Sequence, residues 1–204
     1  VLSQTYAGSI RCLVVHDQSP ADPDLAQQRP GRTVEVLENS RRPGLAGARN
    51  SGILAGTGDL VAFCDDDDEW LPDKVVRQVR QLEIDQQDTS VTGIVVDYRD
   101  RRVERVPRVE ELTVAHLARA RVMAAHPSTV LVRRTALERI GLVDEEIPGS
   151  YGEDYDWILR AAACGGFAVV PEPLVLVRWG DSQFSRQWST IVAALDHLVA
   201  KHPA

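Results

Sequence analysis

The amino-acid sequence predicts an α/β protein with a doubly wound, mostly parallel central sheet flanked by helices. Apolar segments at residues 10–15, 33–37, 60–64 and 90–96 have the length and composition of strands. A segment of small residues at 48–55 lies between two of them and predicts a helix. Because strands and helices alternate, their connections have the form of βα units, which favour a parallel sheet.

The pattern changes after residue 97. Residues 98–106 alternate in charge, which predicts a hairpin at the edge of the sheet. The remaining elements are helices and short strands, with helices predicted at 110–120, 135–140, 153–164 and 188–199, and strands at 128–132, 167–170 and 174–177. We interpret the change as a change of role within one domain, because 204 residues are enough for a single core.

The composition limits the classes of function. A hydrophobic fraction of 44% and a charged fraction of 26% are ordinary for a globular protein. The net charge of −7 argues against a nucleic-acid partner, because phosphate contacts need clustered Lys and Arg. No apolar run is long enough to cross a bilayer. Cys12, Cys64 and Cys164 are scattered in apolar or alanine-rich sequence, which predicts reduced core thiols in a cytoplasmic protein.

The strongest functional signal is a run of four aspartates at the C-terminal end of a predicted strand. Neighbouring carboxylates repel each other, so the run costs free energy unless a cation lies beside it. Carboxylate oxygens suit Mg²⁺ or Mn²⁺, and Mg²⁺ usually binds phosphate oxygens of a substrate as well. In an extended segment Asp65 and Asp67 face one side, and Asp66 and Asp68 face the other. The alternative is a solvated turn that caps the helix after Pro72.

A second acidic pair, Glu153 and Asp154, falls in the first turn of the predicted helix at 153–164. One interpretation is purely structural, because the helix dipole stabilises acids at an N-terminus. The other is that the dipole keeps Asp154 ionised as a general base. The residues alone leave these two interpretations equal.

Two weaker signals lie in the first third of the chain. Gly44 and Gly47 precede a helix without forming a dinucleotide fingerprint or a P-loop, so close packing explains them better than phosphate binding. Arg49 is a cation in this small-residue helix, which packing does not explain. Asp17 follows His16 at the end of a strand, where it can bind a base or ribose or simply form a turn.

Taken together, the motifs resemble those of the family 2 glycosyltransferases, which have the GT-A fold. The resemblance lies in Gly-Ala-Arg-Asn-x-Gly at 47–52, in the aspartate motif at 58–72, and in Gly-Glu-Asp-Tyr-Asp-Trp-x-x-Arg at 152–160. It implies a Rossmann-like sheet, a nucleotide-sugar-binding half at 1–97 and an acceptor-side half at 98–204 of the same domain.

The resemblance also implies the activity and the site. The expected reaction moves a sugar from a nucleotide diphosphate sugar, with a UDP-sugar favoured, to an acceptor hydroxyl with inversion and with Mn²⁺ or Mg²⁺. Asp65 and Asp67 match the metal-binding D-x-D motif, with Asp67 as the direct ligand, and Asp154 matches the catalytic base. Asp17 matches the position of an acid that contacts the nucleobase, although His16 departs from the family pattern. The donor contacts implied in this way are Asp17, Arg49, Asp65, Asp66 and Glu153.

Two departures from the family pattern stand out. The opening strand and most of the first helix that the resemblance implies are not found in this sequence, and we expect either that these residues lie outside the given numbering or that the chain is a fragment. Many relatives carry a metal-assisting His near the C-terminal end, where this chain reads Arg178-Trp179-Gly180-Asp181, so no ligand is assigned there. The alternatives to a glycosyltransferase are a nucleotidyltransferase, which also uses paired aspartates and metal, and an inactive nucleotide-sugar-binding module.

The expected partners are the donor and a glycan, lipid or small-molecule acceptor, without nucleic acid. The expected location is the cytoplasm, with contact to the inner face of the membrane as an alternative. Whether the chain forms a homo-oligomer stays open at this point.

Overall fold

The computed structural model describes residues 1–99, 101–179 and 187–203. In the first half of this part of the chain, two α-helices separate three groups of strands. Its strands are β1 (Ile10–His16), β2 (Gln27–Arg29), β3 (Arg32–Glu38), β4 (Leu60–Ala62), β5 (Glu69–Trp70), β6 (Thr89–Tyr98), β7 (Arg101–Arg105), β8 (Leu131–Arg133) and β9 (Phe167–Arg178). Its α-helices are α1 (Leu45–Ala55), α2 (Lys74–Ile84), α3 (Val114–Leu117), α4 (Arg134–Ile140), α5 (Glu153–Cys164) and α6 (Trp188–Lys201). The predicted α/β class is confirmed.

The chain divides into two compact units. The larger unit comprises Val1–Ala7, Asp59–Ile140 and Ile158–Asp181, and the smaller unit comprises Gly8–Gly58, Gly141–Trp157 and Ser182–Ala204. Both units draw on both halves of the sequence. The functional division at residue 97 stays a prediction.

The smaller unit contains a three-stranded sheet in the order β1–β3–β2. β1 runs parallel to β3 along its whole length, from Ile10 opposite Arg32 to His16 opposite Glu38. α1 contacts β1. A Cβ on Gly47 would lie 1.9 Å from the carbonyl oxygen of Arg42, so this glycine allows the loop before α1, rather than the sheet, to approach the helix closely.

The larger unit contains a six-stranded sheet in the order β4–β8–β6–β9–β5, with β7 also on β6. β6 and β9 form a long parallel pair at its centre, interrupted by a register shift at Gly93. The fully buried side chains of Val91, Ile94, Val132 and Val175 lie on β6, β8 and β9. The predicted edge hairpin is confirmed, because β7 pairs antiparallel with the end of β6.

The strand directions differ from those of the mostly parallel sheet that the sequence predicts. Within the described residues, β1–β3 and β6–β9 are parallel, whereas the other five pairings are antiparallel. The three-residue strand β8 inserts antiparallel between β4 and β6. The alternating sequence pattern that favours parallel strands is found in the first half of the chain. It does not predict the directions of the strands that the second half adds to the sheet.

The apolar spacing of Val75, Val76, Val79, Leu82 and Ile84 predicts an amphipathic face on α2. Leu82 lies in a buried cluster with Leu131 and Ala168, and Val79 packs against it. The prediction is wrong for Val76 and Ile84, which are exposed. The three cysteines are free, but the prediction that they are core thiols is wrong for Cys64 and Cys164, which are exposed. Among the described residues, no helix is both long enough and apolar enough to cross a membrane.

Candidate active site

The four consecutive aspartates, here called the acid turn (Asp65–Asp68), form a turn in the larger unit. β4 ends at Ala62, and the backbone N–H of Asp68 donates to the carbonyl oxygen of Asp65 at 3.1 Å. The N–H of Asp65 donates to Oγ of Ser128 at 2.9 Å. The expected alternation of an extended segment is therefore wrong, because the turn brings the first and fourth carboxylates together.

The imidazole ring of His126 lies beside both of these carboxylates. Its Nδ1 lies 3.3 Å from Oδ2 of Asp68, and its Nε2 lies 4.0 Å from Oδ2 of Asp65. Asp66 and Asp67 are exposed. One ligand atom from each of Asp65, Asp68 and His126 can be chosen so that all three lie within 4.8 Å of one another.

The buried carboxylate of Asp68 is the most unusual group of the acid turn. Its side chain is 1% exposed, and Oδ2 has no hydrogen-bond donor among the described residues. Burial raises the pKa of Asp68, against the opposing effects of a hydrogen bond from Ser128 and of the His126 ring. The helix cap suggested by the sequence is not its role, because the N-cap position of α2 is Asp73, whose side chain makes no capping hydrogen bond.

His126 owes its orientation to a short 3₁₀ turn, Pro127–Thr129, that begins directly after it. The ring nitrogen Nδ1 accepts the N–H of Ser128 at 3.4 Å, which favours the tautomer with its proton on Nε2. In that tautomer Nδ1 presents a lone pair near Oδ2 of Asp68. Sequence reasoning missed this residue, since a lone His before Pro carries no spacing that relates it to aspartates more than fifty residues away.

Lys74 is a second buried group that the sequence did not reveal. Its side chain is completely buried, with Nζ 4.1 Å from the centre of the Trp70 ring. Nζ has no hydrogen-bond acceptor among the described residues. Burial lowers the pKa of Lys74 to about 7, and the nearby Cys64 opposes this shift weakly. Neighbouring protein atoms desolvate the thiol of Cys64 and raise its pKa to about 12, although the residue as a whole is exposed.

In the smaller unit, the carboxylate of Asp17 organises the turn before α1. Asn39 Nδ2 donates to Oδ1 at 2.7 Å, and the N–H of Gly44 and Nε2 of Gln18 donate to Oδ2 at 2.9 and 3.1 Å. Burial opposes the ionised form, but these three hydrogen bonds outweigh it and lower the pKa of Asp17. The turn-forming interpretation is confirmed, and a contact with a nucleobase stays a prediction.

The Arg-Asn pair of α1 binds the chain segment that precedes and opens α5. Arg49 forms a buried ion pair with Glu153. The amide of Asn50 donates to the carbonyl oxygen of Val143 at 2.8 Å and accepts its N–H at 2.9 Å. Burial raises the pKa of Glu153 against the attraction of the Arg49 guanidinium. The two predicted donor contacts, Arg49 and Glu153, are therefore brought together.

The acid segment, defined as the acidic residues of 144–156, is paired with basic residues of the same unit. Lys201 Nζ of α6 lies 2.6 Å from Oδ2 of Asp144 and 2.9 Å from Oδ1 of Asp156. His197 contacts the first carboxylate at 3.1 Å, and His202 contacts the second at 2.8 Å. Burial opposes ionisation of Asp144, but its bonds to Lys201 and His197 and to the backbone lower its pKa to about 2.

The proposed base, Asp154, lies in the first turn of α5 and is partly exposed. Glu153 and Asp156 on either side of it are buried, so Asp154 is the most accessible of these three acids. A cluster of Ile147, Ala194 and Leu198 packs α6 beneath the loop that leads into this turn. The local structure thus holds the start of α5 rigidly while leaving one carboxylate accessible.

The structure describes only part of the segment 178–181, where no metal ligand is assigned from the sequence. Arg178 lies at the end of β9, where its NH2 group is 3.2 Å from Oε2 of Glu69. Its NH1 group donates to the carbonyl oxygen of Asp67 at 3.3 Å. Gly180 and Asp181 lie outside the described residues.

The donor set of the acid turn fits a divalent cation. Oδ2 of Asp68 is buried without a hydrogen bond among the described residues, and the ring nitrogen beside it carries a lone pair in the favoured tautomer. Two such acceptors repel each other unless a positive charge lies between them. Asp65 and Asp68 can offer oxygen ligands and His126 a nitrogen ligand, a set that suits a first-row transition-metal cation such as Mn²⁺.

Comparisons with known proteins point to one family. The model for glycosyl transferase family 2 matches residues 1–141. The uncharacterized glycosyltransferase YwdF of Bacillus subtilis (strain 168) is 26% identical over 196 residues, covering 93% of this chain and 72% of YwdF. The succinoglycan biosynthesis protein ExoO of Rhizobium meliloti (strain 1021) is 30% identical over 206 residues, covering 94% of this chain and 57% of ExoO.

A solved structure confirms the predicted fold. S. aureus TarS 1–349, in complex with UDP, superposes with a TM-score of 0.65 at 16% identity. The match covers 97% of this chain and 65% of that TarS chain. The chain therefore spans 57% of ExoO and about two thirds of the TarS fragment. With a family model that matches well over half of its residues, the chain belongs to glycosyl transferase family 2.

Proposed function

We propose that this chain provides the donor-binding and catalytic part of an inverting, metal-dependent glycosyltransferase that uses a nucleotide diphosphate sugar. The observation that carries the proposal is the acid turn after β4, which concentrates four carboxylates and leaves a buried oxygen of Asp68 without a donor among the described residues. A diphosphate brings further negative charge, so the two are compatible only with a cation between them. Asp65 and Asp67 are the proposed D-x-D ligands, with Mn²⁺ or Mg²⁺ as the cation.

When bound, the cation would act as a Lewis acid that offsets the charge on the diphosphate. Asp154 accepts the proton of the acceptor hydroxyl as that oxygen forms its bond to the anomeric carbon. The bond from this carbon to the diphosphate oxygen breaks in the same displacement, and its electron pair leaves with the nucleotide. One displacement inverts the anomeric configuration, with no covalent intermediate.

A UDP-sugar is the proposed donor. The support is that TarS, whose fold this chain shares, has a structure in complex with UDP. Asp17, Arg49, Asp66 and Glu153 are the other proposed donor contacts. The first acts through the turn that it organises, and Arg49 and Glu153 act as one ion pair. A glycan acceptor is proposed because the relative ExoO is named for succinoglycan biosynthesis.

Family membership favours sugar transfer over nucleotidyl transfer. The inactive binding module remains the competing proposal, and the experiment separates the two. Purified protein is incubated with Mn²⁺ and a panel of UDP-sugars, and released UDP is measured with and without glycan acceptors.

The first prediction concerns Asp154→Asn. We expect kcat to fall about 10²- to 10⁴-fold, because the variant cannot accept the proton. UDP affinity, measured by calorimetry with Mn²⁺, should change little, because the amide has the same size. Asp24→Asn, at an exposed acid of the same unit, is the control and should keep full activity. Normal turnover by Asp154→Asn would show that the base assignment is wrong, and binding of UDP without release from any UDP-sugar would favour the binding module.

A further inference from the structure

The acid turn contains two groups that the D-x-D motif does not include. One is the fourth aspartate, Asp68, which is buried, and the other is His126, which reaches the turn from the segment before β8. Asp67 is exposed, and the side chains of Asp65 and His126 are 28% and 22% exposed, against 1% for Asp68. The burial of the Asp68 carboxylate beside a histidine therefore needs an explanation.

The distance between their polar atoms is that of two ligands of one ion. Oδ2 of Asp68 and Nδ1 of His126 are 3.3 Å apart. Two ligands at right angles, each about 2.1 Å from an ion, lie about 3 Å from each other. Asp65 offers a third ligand atom within 4.8 Å of both.

Burial distinguishes this pair from an ordinary acidic surface. The Asp68 side chain is 1% exposed, and its Oδ2 lacks a donor among the described residues while lying beside the ring. The N–H of Ser128 favours the tautomer in which the facing nitrogen is not protonated. A buried acceptor without a donor costs free energy, and a bound cation would remove that cost.

We propose that Asp68 and His126, together with Asp65, are direct ligands of the divalent cation, and that the imidazole makes the site selective for Mn²⁺ over Mg²⁺. The inference rests on the proposed function for the role of the cation, and it adds a nitrogen ligand from outside the D-x-D motif. Three protein ligands leave the remaining octahedral positions to Asp67, water or phosphate oxygens. Mg²⁺ strongly prefers oxygen, whereas Mn²⁺ accepts an imidazole more readily, so the nitrogen ligand favours Mn²⁺.

The test reads the cation directly. The protein is prepared with ¹⁵N only in histidine, Mn²⁺ is added alone and then with UDP, and pulsed electron paramagnetic resonance detects any nitrogen bound to the ion. Continuous-wave spectra of free Mn²⁺ give its Kd, and competition gives the Kd of Mg²⁺. The variants are His126→Ala, Asp68→Asn and, as the control, His116→Ala, which removes a histidine of α3.

We expect a histidine ¹⁵N coupling in the wild type and in His116→Ala, and none in His126→Ala. The Kd of Mn²⁺ should rise about 10-fold or more in His126→Ala and Asp68→Asn, and the Kd of Mg²⁺ should rise less in His126→Ala. Bound Mn²⁺ without the coupling in the wild type would overturn the inference, and so would a coupling that persists in His126→Ala or a wild type that binds no Mn²⁺. The wild-type spectrum decides even if a variant fails to fold.

The same experiment separates this inference from the proposed function. A protein that shows the histidine coupling but transfers no sugar contradicts the proposed function alone. A protein that transfers sugar with bound Mn²⁺ that lacks the coupling contradicts the ligand assignment alone.

Discussion

Five carboxylates of the acid segment, in the smaller unit, each contact a basic side chain of the same unit. In the acid turn of the larger unit, Asp65 and Asp68 both lie near His126. Both regions concentrate acids within a few residues of an element end. They differ at Asp68, whose buried Oδ2 has no hydrogen-bond donor among the described residues.

This difference distinguishes acids that stabilise the fold from acids that bind a ligand. In the acid segment the chain's own arginines, lysine and histidines pair with the carboxylates, which offsets the cost of burying Glu153 and Asp156. In the acid turn a buried oxygen of Asp68 has no donor among the described residues. Burying this oxygen without a hydrogen bond costs free energy, and a cation bound from solution would remove that cost. Variants that remove charge should therefore act oppositely in the two regions.

The largest expected effect on stability follows from removing the cation of the buried pair in the smaller unit. Arg49→Met leaves Glu153 buried without its partner, and we expect the free energy of unfolding to fall by about 3–5 kcal/mol. Urea denaturation followed by circular dichroism measures it. The double variant Arg49→Met/Glu153→Met should recover most of this loss, because it removes both charges.

Arg11→Met is the matched control, since Arg11 pairs with Glu35 on the exposed side of the same unit. We expect its unfolding free energy to stay close to that of the wild type. If Arg49→Met were no more destabilising than this control, the acid segment would not depend on its internal cations.

A smaller effect of opposite sign is expected near the acid turn. Lys74 is buried and its pKa is lowered to about 7, whereas in the unfolded chain it keeps its ordinary value near 10.5. Lys74→Met removes an amine without an acceptor and should raise the free energy of unfolding at pH 7 by about 1–3 kcal/mol. Thermal and urea denaturation in the presence of a chelator measure the change.

The pH dependence of Lys74→Met has a definite sign. Between pH 7 and pH 10 the unfolded wild type binds more protons than the folded protein, so Lys74 contributes a rise in stability with pH. The variant lacks this rise, and its advantage should shrink toward pH 10. Arg80→Met, at an exposed position of the same helix, should show neither effect. A Lys74→Met protein that is less stable than the wild type at pH 7 would contradict the account of this residue.

The sequence predicted the fold well where local patterns determine it. The alternating apolar segments predicted β1, β3, β4 and β6, and the apolar face of α2 predicted its packing. The directions of the strands were less predictable, because antiparallel pairing of β8 with its neighbours depends on how distant segments return to the sheet. Nothing in the three residues of β8 specifies that direction.

The candidate site shows the same limit. The aspartates and the start of α5 were found because their chemistry is concentrated in adjacent residues. His126 and Lys74 were not, because burial and three-dimensional proximity make them unusual rather than any local pattern. The extended conformation predicted for the four aspartates is also wrong. β4 ends at Ala62, and the aspartates form a turn in place of an extended segment.

The most direct test of the contrast between the two regions is a Mn²⁺ titration of two matched variants, Asp68→Asn and Asp144→Asn, beside the wild type. Each removes one negative charge from a largely buried side chain, 1% exposed for Asp68 and 15% exposed for Asp144. Free Mn²⁺ is counted by electron paramagnetic resonance with UDP present, after circular dichroism has shown that each variant is folded. The account predicts one bound Mn²⁺ per chain in the wild type and in Asp144→Asn, and binding at least about 10-fold weaker in Asp68→Asn. Equal binding by both variants would contradict it.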